Sequence, residues 1–391
     1  MIKLIKNAHI YSPEDLGVMD VLVADGKIAK IASNIELKID ADFVETIDAK
    51  GKIMVPGLID CHVHLLGGGG EGGFKTRTPE IVLSDLVMGG ITTVVGCLGT
   101  DGVTRNMESL VAKAYGLREE GISAYVYTGS YRIPLVTVTG SIQKDIMMIE
   151  PIVGIGEIAI SDHRSSSPTV NDFAKVASDA RVGGILSGKS GLVNIHLGDG
   201  KEMLNYLFQM KDNSEIPLTQ FLPTHANRNS DLYQEAIRYA REGGYIDFTT
   251  STVPQFIEEG EVPAALAFVT AIEKGVSDTH MTFSSDGQGS LPLFDQNGEL
   301  KGLDVGRVTS MFATLRTLML EHHMALEVAL KPFTINPAQL LKLNQKGRLK
   351  ENMDADILLI SKERFEITDV IARGKWLYKE NKLIVKGTFE K

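Results

Sequence analysis

Two histidines one residue apart, His62 and His64 in the run Val55-Pro-Gly-Leu-Ile-Asp-Cys-His-Val-His-Leu65, open the chemistry of this chain. Alternate residues of a strand point to one face, so both imidazoles can converge on one cation at the end of a buried strand. The plain alternative is a short apolar strand that ends in two polar residues at its solvent side. Other residues of ligand type decide between them: Glu157, His196, His225 and Asp286 each stand in or at the end of a further short apolar run. Four imidazoles and two carboxylates suit two divalent ions. Nitrogen and oxygen ligands with open positions for water favour zinc, and manganese, cobalt, nickel or iron stay compatible with the same set.

The elements that must position these residues form a regular series. Eight β-rich runs, 52 to 60, 91 to 98, 123 to 131, 152 to 160, 192 to 198, 221 to 226, 245 to 251 and 281 to 286, alternate with helix-like segments such as 106 to 121, 170 to 181, 230 to 243 and 262 to 275. Most of the runs are near-continuous apolar, as strands buried on both faces are. Eight strand-then-helix units predict a TIM (β/α)8 barrel, whose active site lies where the strands end. A doubly wound open sheet alternates in the same way and is the competing α/β architecture. At the two ends the pattern changes to short strands and turns (2 to 10, 21 to 24, 28 to 31, 357 to 360, 370 to 373 and 383 to 385). These predict a small β domain of residues 1–51 and 346–391 beside a barrel of residues 52–345.

Composition bounds what such a barrel can do. The 391 residues are 43% hydrophobic and 23% charged, the range of an ordinary globular protein with a large core. A net charge of -10 argues against nucleic acid as a partner, because phosphates demand basic stripes. Two cysteines, Cys61 and Cys97, are too few for a disulfide framework. With no apolar run of membrane-spanning length and no signal-length apolar stretch at the N-terminus, the chain reads as cytoplasmic, without a membrane partner.

On these residues the chain resembles the amidohydrolase superfamily: Pro-Gly-Leu-Ile-Asp-x-His-x-His, single histidines after the fifth and sixth strands, and an aspartate closing the eighth. Four more specific segments resemble the isoaspartyl (β-aspartyl) dipeptidases within it. They are Ile160-Ser-Asp-His-Arg-Ser165, Ile195-His-Leu-Gly-Asp199, Leu222-Pro-Thr-His-Ala-Asn-Arg228 and Ser284-Ser-Asp-Gly-Gln-Gly-Ser290, and the similarity extends to the closing Val385-Lys-Gly-Thr-Phe-Glu390. The resemblance implies metal-dependent hydrolysis of β-aspartyl dipeptides by a metal-bound hydroxide, with two zinc ions held by His62, His64, Glu157, His196, His225 and Asp286. It also implies a homo-oligomer, an octamer in the family. One position departs from the pattern. Where the family carries a carboxylated lysine in the fourth strand, this chain has Glu157, so no carboxylated lysine is expected there and the shorter glutamate is expected to bridge both ions. An outward or salt-bridged Glu157 beside a single metal is the alternative.

The same resemblance implies the remaining roles. Asp286 would shuttle the proton from nucleophile to departing amine, and Tyr131, in Gly129-Ser-Tyr-Arg-Ile-Pro134, would stabilise the oxyanion. Glu71 would hold the substrate ammonium, Arg164 and Arg228 its carboxylates, and Thr100 and Ser290 would donate in the same pocket. A dihydroorotase, hydantoinase or N-acyl amino acid deacylase would keep the metals and Asp286 but would not need Glu71 together with both arginines. A noncatalytic barrel would need none of the ligand positions.

Several strings point elsewhere by letters alone. Gly183-Gly-Ile-Leu-Ser-Gly-Lys-Ser190 is a complete P-loop string, but it follows a helix and precedes a strand, the reverse of what phosphate binding needs. Gly67-x-Gly-x-x-Gly72 and Gly154-x-Gly-x-x-Ala159 imitate a dinucleotide fingerprint without opening a helix. The glycine run Gly67 to Gly73 reads as a loop that moves or approaches a ligand closely. No Gly-x-Ser-x-Gly elbow or His-Glu-x-x-His occurs. His322 and His323 read as surface residues of a helix, and His163 has no assigned role.

Overall fold

A computed structural model describes residues 2–38, 41–294 and 300–391. The eight expected barrel strands are present: Leu58–Val63, Ile91–Gly96, Ser123–Thr128, Ile152–Ile160, Leu192–Leu197, Phe221–Thr224, Ile246–Thr249 and Met281–Ser284. The first six form one parallel sheet in sequence order, and the seventh pairs in parallel with the eighth. Ala226 N–H donates to Asp247 O at 3.1 Å, and His64 N–H donates to Gly287 O at 2.9 Å, so both seams close and the sheet is a barrel rather than an open sheet.

Buried carboxylates reinforce these seams. Asp247, on the seventh strand, accepts from Thr224 Oγ1 at 2.7 Å, Thr282 Oγ1 at 2.6 Å and Ser284 Oγ at 2.5 Å, tying strands six, seven and eight together. Asp60, on the first strand, accepts from Ser285 N at 3.1 Å and Ser285 Oγ at 2.5 Å, just beyond the eighth. A buried carboxylate is costly unless hydrogen-bonded, and these hydroxyls satisfy it where the backbone ladder is thinnest. Burial still pushes Asp60 up to about 7.

The helices form where the sequence provides caps and a wet outer face. Val170–Ser187 begins in a capping box between Thr169 and Asp172 and ends at the left-handed Gly188. Ser230–Arg241, capped by Asn229, buries Leu232, Tyr233, Ala236, Ile237, Tyr239 and Ala240 on one side. The first of these runs to Ser187, six residues past the expected Arg181, so the P-loop string occupies the last turn of a helix rather than the start of one. Its Lys189 Nζ donates to the carbonyls of Ile146, Ile149 and Ile152 at 2.6, 2.7 and 2.9 Å, a cationic cap on the preceding chain.

Three features differ from the sequence reading. The run 52 to 60 is not one strand: Ile53–Pro56 pairs with Ile2–Tyr11 and Ile357–Ile360 in the terminal sheet, and Leu58–Val63 enters the barrel. The break falls at Gly57, where a Cβ would lie 2.1 Å from Thr92 Oγ1, so only glycine lets the two sheets meet. An antiparallel hairpin, Ser290–Phe294 with Leu300–Val305, leaves the eighth strand and carries Ser290 to the barrel mouth. His322 and His323 lie just beyond the helix Ser310–Leu320 instead of within it. The terminal sheet has nine strands among the described residues, drawn from both ends of the chain. Also among the described residues, no helix is long and apolar enough to cross a membrane.

Candidate metal centre and active site

The barrel mouth gathers all six expected ligands. His62 and Glu157 are fully buried at the floor, and His64, His196 and His225 are 6%, 4% and 4% exposed above them. Glu157 lies at the centre. Its Oε2 is 3.4 Å from His62 Nε2, 3.1 Å from His196 Nδ1 and 3.9 Å from His225 Nε2, and its Oε1 is 3.4 Å from His64 Nε2. Asp286 Oδ1 stands 3.0 Å from His64 Nε2 and 3.6 Å from His62 Nε2. His225 and Asp286 leave their strands with φ of 62° and 51°, left-handed conformations that L-residues adopt only when the surroundings hold them. Gly289 makes room for the second turn, since a Cβ there would meet the Asp286 carboxylate at 2.6 Å.

Partners outside the cluster orient the rings. His62 Nδ1 lies 2.9 Å from Asn194 Oδ1, and His225 Nδ1 lies 2.7 Å from Thr249 Oγ1. Each leaves the opposite ring nitrogen facing Glu157, the arrangement that fixes a ligating imidazole. Asn194 escaped the sequence reading, although its position two residues before His196 puts both on one face of the fifth strand.

Carboxyls and imidazoles shift one another here: against the effect of burial, contacts with Cys97 and with the acidic groups raise His62 and His64. Burial alone would raise both carboxyls. For Glu157 the charge of His62 and the contact with His196 overcome it, for Asp286 the contacts with His62 and His64 do, and both carboxyls are held well below the usual range. Burial drives His225 down to about 3, the neutral form that binds metal. Glu157 Oε1 and Asp286 Oδ1 are nevertheless buried without a hydrogen-bond partner. Buried carboxylate oxygens without a hydrogen bond, facing imidazole nitrogens, are the donor set a divalent cation satisfies, so these residues fit a metal centre. The ligand atoms fall into two compact groups, His62 with His64, Cys97 and Glu157, and Glu157 with His196 and His225. Glu157 belongs to both.

Above the floor opens a cavity of about 470 Å³ lined by every remaining expected residue: Glu71, Thr100, Tyr131, Arg164, Arg228 and Ser290. Tyr131 OH lies 2.9 Å from His196 Nδ1, and burial keeps it a neutral phenol. Thr100 Oγ1 and Arg164 Nη1 each donate to Glu71 Oε1 at 3.0 Å. Arg164 also grips Asp162 through Nε at 2.9 Å and Nη2 at 2.6 Å. Arg228 Nε is buried with nothing to donate to. Asp162, which further contacts His196 Nε2 at 3.1 Å, and Glu261, which lines the cavity, were both missed in the sequence. Asp162 had a signal, because it stands two residues past the fourth strand. Glu261 had none, lying on a loop between helices. The neighbouring His163 points away with its side chain 86% exposed. The glycine loop is pinned rather than free: Arg105 donates to Leu66 O at 3.0 Å and to Gly68 O at 2.8 Å.

Fold and site together define a (β/α)8 barrel that gathers candidate metal ligands at the carboxyl ends of its strands, the architecture of a metal-dependent hydrolase. Residues 194–377 match the amidohydrolase family. A β-aspartyl dipeptidase of Fervidobacterium islandicum AW-1, crystallised with β-Asp-Leu, is 46% identical to this chain, covers 98% of each chain and superposes with a TM-score of 0.91. A second structure of a β-aspartyl dipeptidase from that organism is 44% identical over the full length of both chains, with a TM-score of 0.89. A dihydroorotase from Acetivibrio thermocellus is 25% identical over 94% of this chain and 91% of its own. The chain therefore belongs to the amidohydrolase superfamily and, within it, to the β-aspartyl dipeptidase family.

Proposed function

We infer that the protein hydrolyses the side-chain amide of β-aspartyl dipeptides in a metal-dependent reaction. The observation that carries this reading is one cavity in which a buried cluster of histidines and carboxylates lies beneath Glu71, Arg164 and Arg228. An isoaspartyl dipeptide presents one ammonium and two carboxylates around its scissile amide, and that rim has the complementary charges. The Fervidobacterium relative crystallised with β-Asp-Leu supports the same substrate class.

In this reading His62, His64, Glu157, His196, His225 and Asp286 hold two divalent ions. Zinc is the first choice on the nitrogen and oxygen donor set. Such ions supply an ionised water near neutral pH and a polarised carbonyl. Asp286, ionised at the edge of the cavity, takes the proton of the nucleophile and passes it to the departing amine. Tyr131 keeps its phenolic proton and donates it as a hydrogen bond to the oxyanion. Arg228, with a buried N–H free to donate, grips one substrate carboxylate, and Arg164 grips the other. Glu71 receives the α-ammonium in exchange for one of its present partners, Thr100 or Arg164, and Ser290 donates from the hairpin. A homo-oligomer in the cytoplasm completes the reading. Two buried free thiols suit a reducing compartment, and the exposed apolar side chains Met148, Ile185 and Leu186 suit contact with a second copy.

Turnover of β-Asp-Leu, dihydroorotate and N-acyl amino acids by the metal-loaded protein tests this. Preference for β-Asp-Leu is expected. Preference for either of the others would transfer the chain to a different amidohydrolase activity, and inactivity on all three with no bound metal would leave a binding barrel.

A further inference from the structure

The dipeptidase reading uses six ligands and leaves one member of the cluster without work. Cys97 follows the second barrel strand directly and is 1% exposed. Its Sγ lies 3.6 Å from His62 Nε2 and 3.9 Å from His64 Nδ1, and Sγ, both rings and Glu157 each place a ligand atom within 4.8 Å of all the others. A zinc ion with a nitrogen at about 2.05 Å and a sulfur at about 2.3 Å in tetrahedral geometry keeps those two atoms about 3.5 Å apart. The separation from His62 matches that figure. The neighbouring Glu157 Oε1 is buried without a hydrogen-bond partner, so the group also holds an unmet acceptor.

The other cysteine provides an internal contrast. Cys61 is as buried as Cys97, yet its Sγ lies 3.6 Å from Asp247 Oδ1 and 3.9 Å from Phe283 O, among the residues that close the barrel. It belongs to neither ligand group. Depth in the barrel therefore does not by itself bring a thiol to the cluster. The position of Cys97 after the second strand does.

We propose that Cys97 is a thiolate ligand of the ion held by His62, His64 and Glu157, making this a nitrogen, oxygen and sulfur site. The inference rests on the metal centre of the dipeptidase reading but not on the identity of the substrate. Binding deprotonates the thiol, forms the metal–sulfur bond and releases the proton to solvent. A soft ligand at this position biases the site toward zinc and cobalt and away from magnesium or calcium.

The test is spectroscopic. Cobalt-loaded wild-type protein should show a sulfur-to-cobalt charge-transfer band in the near ultraviolet, and the zinc-loaded protein a sulfur scatterer at about 2.3 Å in X-ray absorption. Cys97→Ser should lose both and bind zinc about 10- to 100-fold more weakly, whereas Cys61→Ser should keep both. Bound cobalt with only nitrogen and oxygen ligands overturns the proposal and leaves the hydrolase reading standing, with Cys97 a packing residue whose S–H faces Val63 O. A protein that binds no metal overturns the centre and the cysteine's part in it together. Both wild-type measurements decide the matter even if Cys97→Ser fails to fold.

Discussion

The floor and the rim of the cavity solve their electrostatics in opposite ways. At the floor, Glu157 Oε1 and Asp286 Oδ1 are buried against His64 Nε2 at 3.4 and 3.0 Å without a hydrogen bond. At the rim, Glu71, Thr100, Arg164 and Asp162 satisfy one another through short hydrogen bonds. Burial explains the difference. A dry floor cannot be relaxed by solvent, so its unmet acceptors form a fixed demand for a cation, whereas at the rim the partly exposed Glu71 and Arg164 exchange partners at little cost because water shares the load, with only Asp162 buried among them. In the proposed function the floor sets the chemistry and the rim sets the substrate.

The contrast is broken most severely at its centre. Glu157→Ala removes the one residue common to both ligand groups and should lower kcat/KM by more than about 10³-fold with loss of the paired ions. Elemental analysis beside β-Asp-Leu kinetics checks it, and an unchanged two-ion content would end the bridging role. Asp286→Asn should lower kcat by about 10²- to 10⁴-fold, the usual span for a lost proton carrier, as read in steady-state assays. At the rim, Arg228→Met should lower kcat/KM for β-Asp-Leu by about 10- to 100-fold with metal content unchanged, the worth of one charged hydrogen bond. Normal specificity constants in that variant would remove the arginine from recognition.

The smallest effect separates the two regions by pH. Burial raises the carboxyl of Glu261, beside Arg228 in the cavity, from 4.5 to about 7. The folded state thus binds this proton more tightly than the unfolded one. Its contribution to stability is complete below about pH 4.5 and is lost as pH rises through about 7. Glu261→Gln escapes that loss, so its Tm relative to wild type should climb across this window by a few degrees at most, on the order expected for one titrating group. A Tm difference that is flat with pH would show that Glu261 is already ionised in the folded protein.

Much of this was legible in the residues themselves. The strands Ile152–Ile160 and Leu192–Leu197 stand where apolar runs placed them, because a strand buried on both faces has a composition of its own. The six ligand-type residues that meet at the barrel mouth were legible for a related reason: histidines and carboxylates at the ends of such apolar runs stand out by type. The split at Gly57 was hidden, since two strands of different sheets separated by one glycine read as a single run. The hairpin Ser290–Phe294 and its partner belong to no repeating unit of the barrel and left no periodic trace.

Composition and spacing by themselves determined the eight strand-then-helix units, the short terminal strands and the ligand-type residues, since periodicity and residue chemistry are local properties of a chain, whereas closure into a barrel rather than an open sheet did not follow from them. Only the tertiary structure decided which groups meet. It brought Cys97 from a count of two thiols to 3.6 Å from His62, paired Glu71 with Arg164 across 93 residues, and left Glu157 Oε1 and Asp286 Oδ1 buried among imidazoles without a hydrogen bond. Those facts depend on distances between strand ends that are far apart in sequence, and no local pattern encodes such distances.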